Sequence, residues 1–243
     1  MARQLFLCAL SAAFLSCATG RPESSQKNLA VASSAAPADD FDHEVVGGPV
    51  GTRADEYLSR AAAFGFTGTV LVAIDDSPVL HKGYAYADIV AKRPNTTRTI
   101  YDIGSITKTM TGMAIMLLES RGELSVEDRL GRFFSQVPQD KEDIQLKHLL
   151  THTSGIVDPP LGDYEPIGRD DLVKVVFAAP LAAPVGAKYQ YSNTGFSLLA
   201  AVIEKVSGRP YEEFMRNELF LPAGMKETGY LLPQWDTSRI AHT

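Results

Sequence analysis

Gly104-Ser105-Ile106-Thr107-Lys108 is the stretch on which the reading of this 243-residue chain turns. Ahead of it, Thr99 to Ile103 reads as a strand-like run. Behind it, apolar residues recur at Ile106, Met110, Met113, Ala114, Leu117 and Leu118, in helical steps of three and four. Gly122, after Arg121, is a helix stop. This spacing predicts that Ser105 opens a buried helix and that Lys108 lies one turn on along the same face. A hydroxyl at that end feels the positive pole of the helix dipole, which favours the alkoxide needed for attack. A lysine amine in a desolvated pocket can lose its proton and act as a base. Ser105 is therefore the candidate nucleophile and Lys108 its candidate base. The plainer reading makes Ser105 an N-cap and Lys108 a solvated first-turn residue.

A Ser-x-x-Lys pair is a weak signal alone, since a chain with 17 serines and 10 lysines among 243 residues holds about 0.7 matches by chance. There is indeed a second, Ser24-Ser25-Gln26-Lys27, in a polar tract with no helix to hold it. Tyr191-Ser192-Asn193 is rarer, with about 0.15 chance matches to Tyr-x-Asn expected. It sits just before a helix with apolar positions at Phe196, Leu199, Ile203 and Val206. A tyrosine near an ammonium can be held as phenolate and serve as general base or acid. An asparagine amide can hold both a lysine and a substrate carbonyl. Taken alone, Asn193 is equally an N-cap and Tyr191 a packed aromatic.

Composition fits a globular chain, 45% apolar and 21% charged, with formal net charge −6 and no basic stripe to hold nucleic acid. The N-terminus reads as an export signal. Arg3 is its basic residue, Leu5 to Leu15 is an apolar run too short to span a bilayer, and Ser16-Cys17-Ala18 offers small residues for cleavage. Both cysteines, Cys8 and Cys17, fall inside it, so cleavage after Ala18 leaves no disulfide. The alternative is a lipidated Cys17, because Phe14-Leu15-Ser16-Cys17 resembles an imperfect lipobox. Either way the expected destination is outside the cytoplasm, periplasmic or secreted, or held at the membrane as a lipoprotein. The five histidines show no paired spacing for a metal, and no cofactor is expected.

In chain order, residues 1–18 are read as the signal and 19–52 as a disordered linker rich in Ala, Ser, Pro and Asp. The fold is expected to start near Arg53 and to occupy 53–243. Ala54 to Phe64 reads as a helix. Gly68 to Ile74 and Val79 to Ala87 read as an antiparallel hairpin joined by Asp75-Asp76-Ser77-Pro78. Ser125-Val126-Glu127-Asp128 resembles a capping box. Short helices are expected over Ile144–Leu150 and Asp171–Ala178, with a loop from Asp158 to Gly168 between them. A longer helix is expected from about Thr194 to Gly208, another from Pro210 through Phe220, and a patternless tail from Pro222.

Tyr101-Asp102-Ile103-Gly104-Ser105-Ile106-Thr107-Lys108, the block from Leu146 to Gly155 (LKHLLTHTSG) and Tyr191-Ser192-Asn193-Thr194-Gly195, in this order, resemble the serine β-lactamase and penicillin-binding-protein superfamily. The Tyr-x-Asn form resembles the class C branch, which includes DD-peptidases and esterases. The resemblance runs from roughly Arg53 to the end. It implies an α+β fold of β-lactamase/DD-peptidase type, a helical region packed on an antiparallel sheet. It implies that Ser105 attacks a lactam, peptide or ester carbonyl, that Lys108 and Tyr191 shuttle the proton, and that Asn193 orients substrate and Lys108. His152, in the family-like His-Thr-Ser-Gly turn, is expected to be structural. The partner implied is a small-molecule or peptide substrate.

The family also carries a third motif, Lys-Thr-Gly or His-x-Gly, on a later strand that supplies an oxyanion donor. Neither form occurs after Asn193. The expectation is therefore a C-terminally truncated member, lacking the closing strands of the sheet and weakly active or inactive. The alternative function is a non-catalytic, cell-envelope peptide-binding lipoprotein that keeps the pocket. A structural domain with coincidental motifs is the third and most remote reading.

Overall fold

A computed structural model describes residues 43–159 and 167–242. The export signal with Cys17, the linker up to residue 42, the Ser24–Lys27 match and the middle of the Asp158–Gly168 loop lie outside the described residues.

The chain is ordered ahead of the expected start. Strand β1 (Val45–Val46) and helix α1 (Gly48–Ala63) take up residues read as linker. The misreading came from Gly47-Gly48-Pro49, which looks like loop punctuation. Pro49 instead opens the helix, where its missing N–H is no loss. Gly51 then lets α1 lie flat on the sheet: a Cβ there would be 2.0 Å from the Val79 carbonyl oxygen. Lys82 and Tyr84 both reach Asp55 of α1, at 2.9 and 2.8 Å.

Strands β2 (Gly68–Ile74) and β3 (Ser77–Tyr84) form the expected antiparallel hairpin, and β1 pairs on the far side of β3. The turn is shorter than expected. Asp75 and Asp76 alone form it, both left-handed at φ 48° and 60°. That suits a two-residue turn whose twist matches the strands. Ser77 and Pro78 already belong to β3, and the register shifts at Val72/Ala73 opposite them. Among the described residues β2 pairs with β3 alone, and its Leu71 is exposed.

The second strand ends sooner than Ala87. Ala85 is left-handed (φ 52°), and the chain turns into β4 (Tyr86–Asp88), which pairs with β5 (Arg93–Pro94). Asn95 fixes this corner by donating to Tyr84 O and Thr67 Oγ1, each at 2.8 Å. The strand expected over Thr99–Ile103 reduces to one parallel bridge, Ile100 with Ile240. The tail is thus not patternless: after a 3-10 turn at Thr237–Arg239, Ala241 N and His242 N donate to Ile100 O and Ala87 O.

The helical layer comprises α2 (Ile106–Ser120), α3 (Leu146–Leu150), α4 (Arg169–Ala178), α5 (Asn193–Ser207) and α6 (Tyr211–Met215). A single π turn, Arg216–Phe220, continues α6. Helix α5 is the hub, touching α2, α3, α4 and α6. Its Leu198, Leu199, Val202 and Ile203 are fully buried.

Helix α2 is rotated from the expected face. It buries Thr111, Ala114, Ile115 and Leu118, while Ile106 and Met113 are 60% and 55% exposed. The two apolar stripes overlap in sequence, and docking on α5 and α6 selects one. Thr111 is tolerated inside because its hydroxyl bonds Tyr211 Oη at 2.8 Å.

The Ser125 box does not start an α-helix either. Ser125 N does bond Asp128 Oδ2 at 2.6 Å, but Leu130 N and Leu146 N are engaged by Ile144 O and Asp128 O. These long-range bonds hold the segment in a 3-10 turn, Leu130–Arg132. Helices and small antiparallel sheets together make the fold α+β.

Candidate active site

Two helix N-termini face each other. At α2, Asp102 Oδ1 accepts from Gly104 N at 2.7 Å, and Gly104 is left-handed (φ 49°). This turn brings Ser105 to the helix start in helical conformation, with no side-chain capping bond. The cap reading of Ser105 therefore fails. Its hydroxyl instead lies 2.6 Å from Tyr191 Oη, and Lys108 Nζ donates to it at 3.2 Å.

At α5 the cap is Ser192, one residue before the expected one. Its Oγ accepts from Gly195 N at 3.0 Å. Asn193 is released from capping, and its Oδ1 accepts from Lys108 Nζ at 2.7 Å. All four sequence-predicted site residues, Ser105, Lys108, Tyr191 and Asn193, thus meet in one cluster drawn from two helix starts.

The phenol is held from behind. The His152 ring stacks on Tyr191 with centroids 4.5 Å apart and planes at 30°. Lys108 Nζ lies 4.9 Å from the Tyr191 ring centroid. His152 is left-handed (φ 57°), and its Nδ1 accepts from Ser192 N at 3.1 Å. That bond makes Nδ1 the unprotonated nitrogen. His152 therefore serves as a support for Tyr191 and Ser192, in keeping with its expected structural role.

Electrostatics follow from these contacts. The Tyr191 phenol is shifted below its ordinary pKa by hydrogen bonding to Lys108 first and Ser105 second, with burial and then the Asp158 charge opposing. A phenol so shifted is easier to hold as phenolate. His152 is also shifted down, by burial first and then by Lys108, with Asp158 opposing.

Among the described residues no desolvated pocket surrounds Lys108. Lys108 is half-buried, Ser105 and Asn193 are exposed, and Tyr191 is 46% exposed. The site is an open surface in the described residues. Lys108 is set by its two oxygen partners, with the rings of Tyr191 and Phe196 4.9 and 5.8 Å from its Nζ.

One further residue escaped the reading of the sequence. Asp158 accepts from Ser192 Oγ at 2.6 Å, Asn193 N at 2.9 Å and Thr194 N at 3.0 Å. A carboxylate at a helix N-terminus fills orphan N–H groups and complements the dipole. Burial pulls its pKa up, and the bonds from Ser192, Asn193 and Thr194 outweigh that, leaving it below the ordinary carboxylate value. In the sequence Asp158 reads only as the first residue of an Asp-Pro-Pro loop. No local pattern links it to a helix 34 residues on. Among the described residues no group of three or more His, Cys, Asp or Glu gathers as a metal site would require.

An α+β fold in which a Ser-x-x-Lys helix start faces a Tyr-x-Asn helix start defines the class of the serine β-lactamases and penicillin-binding proteins. The chain belongs to the Beta-lactamase family, whose family model matches residues 57–243. It is 34% identical to a penicillin-binding protein of Bacillus subtilis over 185 residues, which covers 73% of this chain and 41% of that protein. Among solved structures, FmtA from Staphylococcus aureus superposes with a TM-score of 0.73 at 27% identity, over 82% of this chain and 56% of that one. A D-amino acid amidase from Ochrobactrum anthropi superposes with a TM-score of 0.69 at 26% identity, over 80% of this chain and 57% of that one. The chain spans less than half the length of the curated relatives it matches, 41% in the first case.

Proposed function

We propose that this chain carries the nucleophile of a serine hydrolase that works through an acyl-enzyme on a lactam, a D-Ala peptide or an ester. The observation that supports it most is the contact of Ser105 Oγ with Tyr191 Oη at 2.6 Å, with Lys108 Nζ 3.2 Å from the same hydroxyl. In this reading Tyr191 takes the Ser105 proton as Oγ forms its bond to the carbonyl carbon. The C–N or C–O bond to the leaving group then breaks, and Tyr191 returns the proton to the departing nitrogen or oxygen. Lys108 holds the charge on both oxygens, and Asn193 holds Lys108 and faces the substrate amide or ester. Water finally adds to the acyl carbon and releases it from Ser105, which regains its proton. The names of the relatives, a penicillin-binding protein and a D-amino acid amidase, favour a lactam or amide over an ester.

The test is intact mass after incubating the chain with a fluorescent penicillin or a fluorophosphonate, beside Ser105→Ala. A covalent adduct on the wild type that is absent from Ser105→Ala is the expected result. A cooperatively folded wild type that takes no adduct sinks this reading and leaves a peptide-binding envelope protein.

The proposed place of work is the cell envelope. Its support is the N-terminal sequence alone: Arg3, the apolar run Leu5 to Leu15, then Ser16-Cys17-Ala18. The mass of the exported chain distinguishes cleavage after Ala18 from a lipid on Cys17. A cytoplasmic chain that still begins at Met1 would refute both.

A further inference from the structure

The segment from the His-Thr-Ser-Gly turn to Asp158 touches the proposed catalytic cluster at two places, through His152 and Asp158, and neither hydrogen-bonds Ser105 or Lys108. We infer that Asp158 is a positioning residue, and that its carboxylate, with His152 behind it, holds Tyr191-Ser192-Asn193 so that the phenol and the amide reach Ser105 and Lys108. This rests on the reading of Ser105 as nucleophile.

The geometry carries the inference. Tyr191 and Asn193 flank Ser192, so the backbone of Ser192 sets where both side chains point. Ser192 is tied three times. Its N donates to His152 Nδ1 at 3.1 Å, its Oγ donates to Asp158 Oδ1 at 2.6 Å, and that Oγ also accepts from Gly195 N at 3.0 Å. Asp158 grips the next two residues as well, through Asn193 N and Thr194 N. The ties form one rigid set, because Ser192 and Thr194 are buried, at 2% and 5% exposure. Two residues from one short segment therefore fix the phenol and the amide together. Without the carboxylate, two backbone N–H groups and a buried hydroxyl lose their acceptor. Water could satisfy them, but it would not hold Tyr191 2.6 Å from Ser105.

A merely stabilising Asp158 and a positioning Asp158 make different predictions for Tyr191. The phenol is pulled down chiefly by its bonds to Lys108 and Ser105, and the Asp158 charge opposes that pull weakly. If Asp158 holds the phenol in place, removing it costs Tyr191 those two bonds, and its titration midpoint rises. If Asp158 acts by charge alone, the midpoint falls. If it only stabilises the helix, the midpoint stays.

The experiment uses the full chain with carbon-13 at tyrosine Cζ, the Tyr191 signal being assigned with Tyr191→Phe. The wild type and Asp158→Ala are titrated, and acylation by a fluorescent penicillin is timed across the same pH range. The expected result is an upward shift of the Tyr191 midpoint and acylation slower by about 10- to 100-fold, as a misplacement of about an ångström produces. A downward or unchanged midpoint overturns the inference. Should Asp158→Ala not unfold cooperatively, Ser192→Ala is titrated instead: it removes the Oγ ties to Asp158 and Gly195 and keeps the carboxylate charge, so a raised Tyr191 midpoint supports the inference and an unchanged one overturns it. A wild type that takes neither penicillin nor fluorophosphonate would defeat the hydrolase reading, and the Tyr191 titration would still decide the positioning role.

Discussion

At Tyr191 a short hydrogen bond, a nearby ammonium and a ring stack converge on one phenol. Replacing it with phenylalanine keeps the ring on His152 and removes only the oxygen. Tyr191→Phe is expected to fold and to lose about 10²- to 10⁴-fold in the rate of Ser105 acylation, as for a lost general base. Adduct formation followed by intact mass over time checks this, and a near-wild-type rate would hand the base role to Lys108. His152 adds a pH dependence. Its folded pKa lies below the ordinary value of 6.5, so the native state binds fewer protons there than the unfolded chain. The stability it contributes is therefore present above about pH 6.5 and is lost as the pH falls through the folded value. Asn tolerates the left-handed backbone at this position and does not titrate. His152→Asn is expected to flatten the fall in unfolding midpoint between pH 7 and pH 5. Equal slopes in the two proteins would refute the assignment. His148, also shifted down by burial first, contributes the same sign in both proteins and cancels in the comparison.

At the scale of elements, capping and turns decide what the site can do. Helix α5 is capped by Ser192 and Asp158, and this frees Asn193 for Lys108. The His-Thr-Ser-Gly turn beside it is stitched to the following loop by Ala182 N to Gly155 O and Gly186 N to Thr153 O, each 2.8 Å. Gly155 is left-handed at φ 74°, and a Cβ there would lie 2.2 Å from Ala183 O. Gly155→Ala is expected to cost about 3 kcal/mol from strain and backbone displacement together. Chemical denaturation would read it, and a loss below about 0.5 kcal/mol would show that the loop yields freely.

The sequence makes some of these elements legible and hides others for physical reasons. Helix α5 is legible from its apolar spacing, since Leu199 and Ile203 are indeed fully buried, and the β2–β3 hairpin is legible as two strand-like runs around turn residues, although its turn is shorter and its second strand ends sooner than expected. The face of α2 is not legible, because two apolar stripes share that helix and only its neighbours choose between them. The Ser125 box fails because backbone bonds to residues 144–146 outcompete a helical continuation. Ser105, Lys108, Tyr191 and Asn193 are legible as motifs of fixed spacing. Asp158 is not, since its partners lie in another segment.

For the whole molecule, the helical core is the part that brings the two halves of the site together. Leu198 lies fully buried at the middle of α5. Leu198→Ala is expected to lower stability by about 2–5 kcal/mol, measured by denaturant unfolding. It should slow acylation only where the native fraction falls. A strong loss of acylation in a still fully folded variant would show that core packing tunes the site directly.

The 2.6 Å contact between Ser105 and Tyr191 joins residues 86 apart in the chain, one from the start of α2 and one from the approach to α5. It exists only while those two helices are seated on each other. In the proposed hydrolase, reactivity at Ser105 is thus a gauge of assembly and not of helix content. A treatment that slides α2 from α5 while each keeps its own backbone bonds would silence the serine and leave the far-ultraviolet signal of the helices almost unchanged.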